Sequence, residues 1–129
     1  MKTVVICGSR RFKPEIREFA QQLKNEGIVV YEPYLHSGQE EWENLSDDYK
    51  KFVALGLTHD HFYKIKMADV VFVFNKDGYA GNSTTLEIGY AIALGKPIYA
   101  LSGGDEELCR RVLFREIISS PTELINKLK

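Results

Sequence analysis

Cysteine is scarce in this chain. Cys7 and Cys109 are the only two, they lie far apart, and neither belongs to a CxxC or Cys/His spacing. That excludes a disulfide framework and the usual zinc spacings, and makes a reduced, cytosolic setting the default expectation. Long hydrophobic runs are also missing: the apolar stretch that ends at Cys7 is four residues long, too short for a signal-peptide core and far too short to span a membrane. Neither sign of charge is in excess, with 17 Lys plus Arg against 18 Asp plus Glu and a net charge of -1. No broad basic field is therefore available to hold a nucleic-acid polymer. No G-x-G-x-x-G turn follows the first apolar run, which disfavours a dinucleotide cofactor. Internal repeats, linkers and low-complexity segments are absent as well.

What remains is ordinary. The 129 residues, 44% hydrophobic and 27% charged, read as one soluble globular domain over 1–129, able to bury roughly two-thirds of its unfolded surface. Thr3–Cys7 is a β-branched run ending in Gly8-Ser9, and Pro14 suits the first turn of a helix over about Pro14–Glu26, stopped by Gly27. Ile28–Tyr31 reads as a second strand. The polar stretch from His36 to Asp48 carries five acidic residues around the single Trp42 and reads as a loop or lid. Tyr49 to Met67 has helical spacing, with Gly56 and Thr58 as points where the helix can break. Val70–Phe74 is a third, wholly apolar strand. A Gly-rich turn over Lys76–Asn82, a helix of about Thr84–Leu94 stopped by Gly95, and a strand over Pro97–Leu101 follow. Leu108–Phe114, a short strand near Glu116–Ile118 and a helix from Pro121 complete the chain.

Continuous apolar strands alternating with helices imply a parallel sheet covered on both faces. The expected fold is α/β and doubly wound, flavodoxin- or Rossmann-like, with five strands in the order 2-1-3-4-5. Ligands in such sheets bind beyond the carboxyl ends of the strands where the strand order reverses, here the loops after Cys7 and Phe74.

One residue stands out against that frame. Between Gly78 and Gly95, Glu87 is the only ionised side chain, and an isolated carboxylate in an apolar helix is costly unless something satisfies or uses it. A capping box is one explanation, with Thr84 capping the helix and Glu87 reaching back to it. The other is chemical: a carboxylate one turn into a helix at the sheet's carboxyl edge can serve as nucleophile or base. Asn82, Ser83 and Thr84 supply polar groups and free amides at the same helix start, suited to a sugar hydroxyl or phosphate. Gly8, Ser9, Arg10 and Arg11 can hold a phosphate or carboxylate after the first strand, although two solvated arginines at a helix entrance are equally ordinary. In His59-Asp60-His61, Asp60 is expected on the inward face with Tyr49, Val53 and Met67. Adjacent helical residues point about 100° apart and cannot converge on one ion, so no metal site is expected there. A phosphatase reading of Cys7 needs an arginine six residues on, where Lys13 stands, and Cys7 reads instead as a small buried strand residue.

Ala68-Asp69-Val70-Val71-Phe72-Val73-Phe74, Gly81 through Ala91 (GNSTTLEIGYA) and Leu94-Gly95-Lys96-Pro97-Ile98 resemble the nucleoside 2-deoxyribosyltransferase family. The Gly8-Ser9-Arg10 turn is closer to the related deoxynucleoside 5′-monophosphate N-glycosidases. The resemblance implies cleavage of an N-glycosidic bond of a nucleoside or its 5′-monophosphate, with Glu87 matching the catalytic glutamate that attacks the anomeric carbon. It implies a small-molecule substrate, no cofactor and a homo-oligomer. The position six residues before the glutamate, an acid in the transferases and a phosphate-binding serine in the hydrolases, is Gly81, and the family's helix acid aligns with His61, next to Asp60. The loop also partly resembles phosphoribohydrolases that release cytokinin-type bases, without their proline and glycine pair. A non-catalytic nucleotide-binding module with the same pocket is the alternative from another class.

Overall fold

The computed structural model describes residues 1–34 and 39–129. Five strands form one all-parallel sheet in the order β2-β1-β3-β4-β5: β1 (Val4–Gly8), β2 (Val30–Tyr31), β3 (Val70–Phe74), β4 (Ile98–Ala100) and β5 (Glu116–Ile117). The expected fold class and strand order are those observed. The centre is the β1–β3 ladder, which runs in register from Val4↔Val70 to Gly8↔Phe74.

The pleat divides the core into two. Val4, Ile6, Val70, Phe72 and Phe74 point to one face, where they bury against α1 (Lys13–Asn25) and α6 (Pro121–Leu128). The alternate residues Val5, Cys7, Val71 and Val73 point to the other face, against α3 (Asp47–Met67) and α4 (Asn82–Ala93). Parity along β1 therefore sends Cys7, as the last buried residue of its strand, under the helices that follow β2 and β3. Space is tight one step later at Gly8, where a Cβ would lie 2.8 Å from Ile16 Cδ1 and 3.2 Å from Phe74 Cβ, so that a side chain there would have to displace both.

The helix after β2 is longer than its glycine suggests. α3 continues without a break through Gly56 and Thr58, because a glycine costs only about 1 kcal/mol and both ends are well terminated. The Ser46 hydroxyl accepts from the Tyr49 amide, Asp47 and Asp48 occupy the first turn, and Lys64 and Lys66 the last. Its buried residues are His61 and Ile65, while Tyr49 and Met67 are 63% and 40% exposed. The inward face is thus one residue away from the one expected: His61 faces in, and Asp60 faces out, bound to Lys64 at 2.9 Å. Of the expected loop or lid, residues 36–38 lie outside the described residues. Its remainder holds the short α2 (Gln39–Glu43) and the first residues of α3. Among the described residues, no helix is long and apolar enough to cross a membrane.

The glycine-rich turn after β3 is held by a buried polar cluster. Asn75 donates to Asp105 Oδ2 at 3.0 Å and to the Ser102 carbonyl at 2.9 Å, while Arg110, in α5 (Leu108–Arg111), lies 2.7 Å from Asp105 Oδ1. The Arg110 guanidinium also donates to Thr85 Oγ1 at 3.2 Å, so the cluster reaches the first turn of α4. Gly78 has φ +77, and a Cβ there would run into the Gly104 carbonyl oxygen. The turn and the 101–107 loop are packed backbone to backbone.

Candidate active site

A cavity of ≈ 420 Å³ opens beyond the carboxyl ends of β1 and β3, within the usual size for a small-molecule site. Its walls come from Gly8, Ser9 and Arg10 after β1, Pro33 and Tyr34 after β2, Trp42 of α2, the inner side of α3 from Ala54 to Phe62, and Gly81–Thr84, Leu86 and Glu87 of α4. It sits where the strand order reverses, as the topology requires.

Most of the expected site residues meet there. Gly8, Ser9, Arg10, His61, Gly81, Asn82, Ser83, Thr84 and Glu87 all line the cavity. Arg11 does not: its guanidinium lies over the Tyr79 ring at 3.6 Å, a cation–π contact outside the cavity wall. Asp60 is also outside the wall, with its side chain 50% exposed. Ser9 is partly committed, since its hydroxyl accepts from the Arg11 amide at 3.1 Å.

The capping box is not formed. α4 starts at Asn82 with Gly81 as its N-cap and no side-chain cap, so Thr84 is a buried third helical residue and Glu87 sits too far along to reach the cap. The helix begins earlier because Gly81, in extended backbone at φ -81 and ψ 179, is a competent N-cap and none of Asn82, Ser83 and Thr84 resists the helix. A side chain at Gly81 would have room, meeting only Tyr79 Oη at 3.9 Å. The first amides of α4 lack intrahelical acceptors, and the residues that carry them line the same cavity as Gly8, Ser9 and Arg10, an arrangement able to receive an anionic group.

Glu87 lies at the closed end, its side chain 14% exposed, with Oε2 3.6 Å from His61 Nε2. Behind both is Cys7, whose sulfur is 3.3 Å from the same nitrogen. Burial pushes the Glu87 carboxyl up to about 8, opposed only by a hydrogen bond with Cys7. Burial pushes the His61 imidazole down to about 4, aided by the charge of Lys64 and opposed by Asp60. Burial, then the Glu87 charge, raises the Cys7 thiol well above its ordinary value. At neutral pH the contact is therefore a neutral imidazole beside a largely protonated carboxyl, not an ion pair. Sequence reasoning placed Glu87 and His61 at the site but missed Cys7 as their neighbour. The parity of β1 was the signal available, and it could not be used without knowing which face α3 covers.

A thiol nucleophile does not fit this geometry. In a Cys–His–acid triad the acid holds one ring nitrogen and the thiol the other. Here both approach Nε2, and Nδ1 is buried with no partner among the described residues. Cys7 is fully buried and its thiol stays protonated, whereas a reactive cysteine needs access and a lowered pKa. Glu87 is the one carboxylate among the described residues lining the cavity.

The chain belongs to the nucleoside 2-deoxyribosyltransferase family, whose model matches residues 4–117. Three solved structures share its fold. The 2-deoxyribosyltransferase of the psychrotolerant bacterium Bacillus psychrosaccharolyticus is 18% identical, with a TM-score of 0.71 over 96% of this chain and 90% of that one. A conserved protein from Enterococcus faecalis V583 is 16% identical, with a TM-score of 0.62 over 99% and 97% of the two chains. The CMP N-glycosidase BcmB of Clostridium botulinum is 20% identical, with a TM-score of 0.55 over 98% and 97%. Comparison with curated proteins gives no match.

Proposed function

We propose that this member of the nucleoside 2-deoxyribosyltransferase family cleaves the N-glycosidic bond of a nucleoside or nucleoside 5′-monophosphate, with Glu87 as the nucleophile. Family and fold support that class of activity in general terms. The observation that carries the finer reading is the position of Glu87: a lone carboxylate, free of any capping role, at the closed end of the switch-point cavity.

In the proposed reaction Glu87 first loses its proton to solvent, because the neighbouring imidazole of His61, held down to about 4, is too weak a base to take it. The carboxylate forms a bond to the anomeric carbon as the bond to the base breaks, with the electron pair leaving on the base nitrogen, which takes up a proton. Water or a second base then displaces Glu87 from the glycosyl ester, and the carboxylate is regenerated. A carboxylate costly to ionise in the empty site is also well placed electrostatically, because the developing oxocarbenium charge meets it in a poorly hydrated pocket.

His61 is a positioning residue in this scheme. An acid and a nucleophile working on opposite sides of a glycosidic bond stand about 5–5.5 Å apart in retaining enzymes. His61 Nε2, at 3.6 Å from Glu87 Oε2, is on the nucleophile's side. Arg10 with the first amides of α4 supports a substrate bearing a 5′-phosphate, and Trp42 and Phe62 offer surface for a planar base.

The test is chromatographic detection of free base from a panel of nucleosides and 5′-monophosphates, with and without an acceptor base. Release by the wild type and its loss in Glu87→Ala is expected. Tight nucleotide binding without release would instead make the domain a binding module, and unchanged release in Glu87→Ala would remove Glu87 from the mechanism.

A further inference from the structure

Cys7 has no part in the proposed reaction, yet it completes a donor set. Its sulfur, His61 Nε2 and a Glu87 carboxylate oxygen all lie within 4.8 Å of one another. A four-coordinate zinc ion, with bonds of about 2.3 Å to sulfur and about 2.0–2.1 Å to nitrogen or oxygen, holds neighbouring ligand atoms roughly 3.3–3.6 Å apart. Two edges of that triangle already have this length, 3.3 Å from sulfur to Nε2 and 3.6 Å from Nε2 to Oε2. The three residues come from β1, α3 and α4, so the core packing of the sheet fixes their relative positions.

We propose that Cys7, His61 and Glu87 form a binding site for a thiophilic divalent cation of the Zn²⁺ class, with the fourth coordination position facing the cavity. Sulfur, imidazole and carboxylate together suit zinc and disfavour magnesium or calcium, which take oxygen ligands. The ion enters by the cavity, meeting His61 and Glu87 on its wall before the sulfur directly behind them. As the Zn–S bond forms, the thiol proton leaves to solvent, and the carboxyl proton leaves in the same way. The ring proton then resides on Nδ1, which has no hydrogen-bond partner among the described residues. Dedicated metal sites supply that partner, and its loss weakens binding about 10–100-fold. The site is therefore suited to reversible occupation, and an ion in it occupies Glu87 and blocks the proposed reaction.

Binding does not depend on the catalytic reading, whereas inhibition does, and the two are measured separately. The full chain, freed of metal by a chelator, is titrated with Zn²⁺ against a chromophoric competitor and with Co²⁺ for the thiolate-to-metal charge-transfer band. One ion per chain and a thiolate band are expected. Cys7→Ser should lower Zn²⁺ affinity at least tenfold and abolish the band, His61→Asn should lower affinity at least tenfold, and Cys109→Ser should change neither. Circular dichroism checks that each variant is folded. If Cys7→Ser does not fold, His61→Asn decides by affinity alone. Undiminished affinity in a folded variant of either residue, or a band that depends on the exposed Cys109, overturns the site. Binding as described with base release unaffected upholds the site and overturns the role of Glu87.

Discussion

Replacing Glu87 by Gln should stabilise the protein, and by an amount that grows with pH. In the folded state burial holds the carboxyl up to about 8, against an ordinary value of 4.5. The folded chain therefore keeps a proton that the unfolded chain has lost, and stability falls as pH rises from 4.5 through about 8, levelling above. At ~1.4 kcal/mol for each tenfold change, the full cost is about 4–5 kcal/mol. The side chain is only 14% exposed, so little of this is screened by solvent. Glutamine keeps the shape and cannot ionise, and His61 and Cys7 remain in both proteins, so their own titrations largely cancel in the difference. The gap between variant and wild type should be below about 1 kcal/mol at pH 5 and reach about 4–5 kcal/mol at pH 9, roughly 17 °C in melting temperature for a chain of this length. Thermal and urea unfolding of both proteins at pH 5, 7 and 9 measures it. A gap that does not change with pH, or a variant less stable than wild type at pH 9, refutes the reasoning and returns Glu87 to a structural role.

Three further outcomes follow from the same geometry. Because Glu87 must ionise to attack, kcat/KM should climb about tenfold per pH unit below 8 and level near there; a profile flat from pH 5 to 9 contradicts this. No carboxylate but Glu87 lines the cavity among the described residues, so nucleosides whose base is already cationic, such as 7-methylguanine derivatives, should be cleaved faster than their neutral counterparts. A positioned acid contributes about 10²–10⁴-fold, and a gain approaching 10²-fold in kcat is expected, with equal rates contradicting it. Arg110→Ala leaves Asp105, whose side chain is 0% exposed, without its cation; denaturant unfolding should show a loss of about 3–5 kcal/mol, and a loss below about 1 kcal/mol would show the pair to be dispensable.

The frame of the molecule was legible because its signals are strong and local. β1 and β3 are apolar at every buried position, as central parallel strands must be, and Gly27 and Gly95 end their helices at φ +80 and +71. Glu87 was legible for the opposite reason, as a charge where none is expected. The face of α3 was not, because apolar residues are spread around that helix. Phe52, Leu55 and Tyr63 are 71%, 59% and 61% exposed, and the residues that turn inward are His61 and Ile65. A pattern that mixes apolar residues on both sides cannot reveal which side is buried, so Asp60 is expected to face inward from the sequence, while His61, also a candidate, is the residue that does. The start of α4 was misplaced by two residues because Thr84 resembles a cap as well as Gly81 does, and only the backbone distinguishes them. Arg11 was assigned to the ligand because charge near a strand end suggests an anion, while its contact with Tyr79 joins residues distant in sequence.

The account turns on a covalent bond between Glu87 and the sugar. The most direct measurement is intact and peptide mass spectrometry after incubation with a 2-fluoro-2-deoxy nucleoside or its 5′-monophosphate, whose fluorine slows formation and breakdown of the glycosyl ester. One sugar adduct per chain, mapped to Glu87 and absent from Glu87→Gln, is the expected result. An adduct on another residue, or base release that persists in Glu87→Gln, would contradict the account.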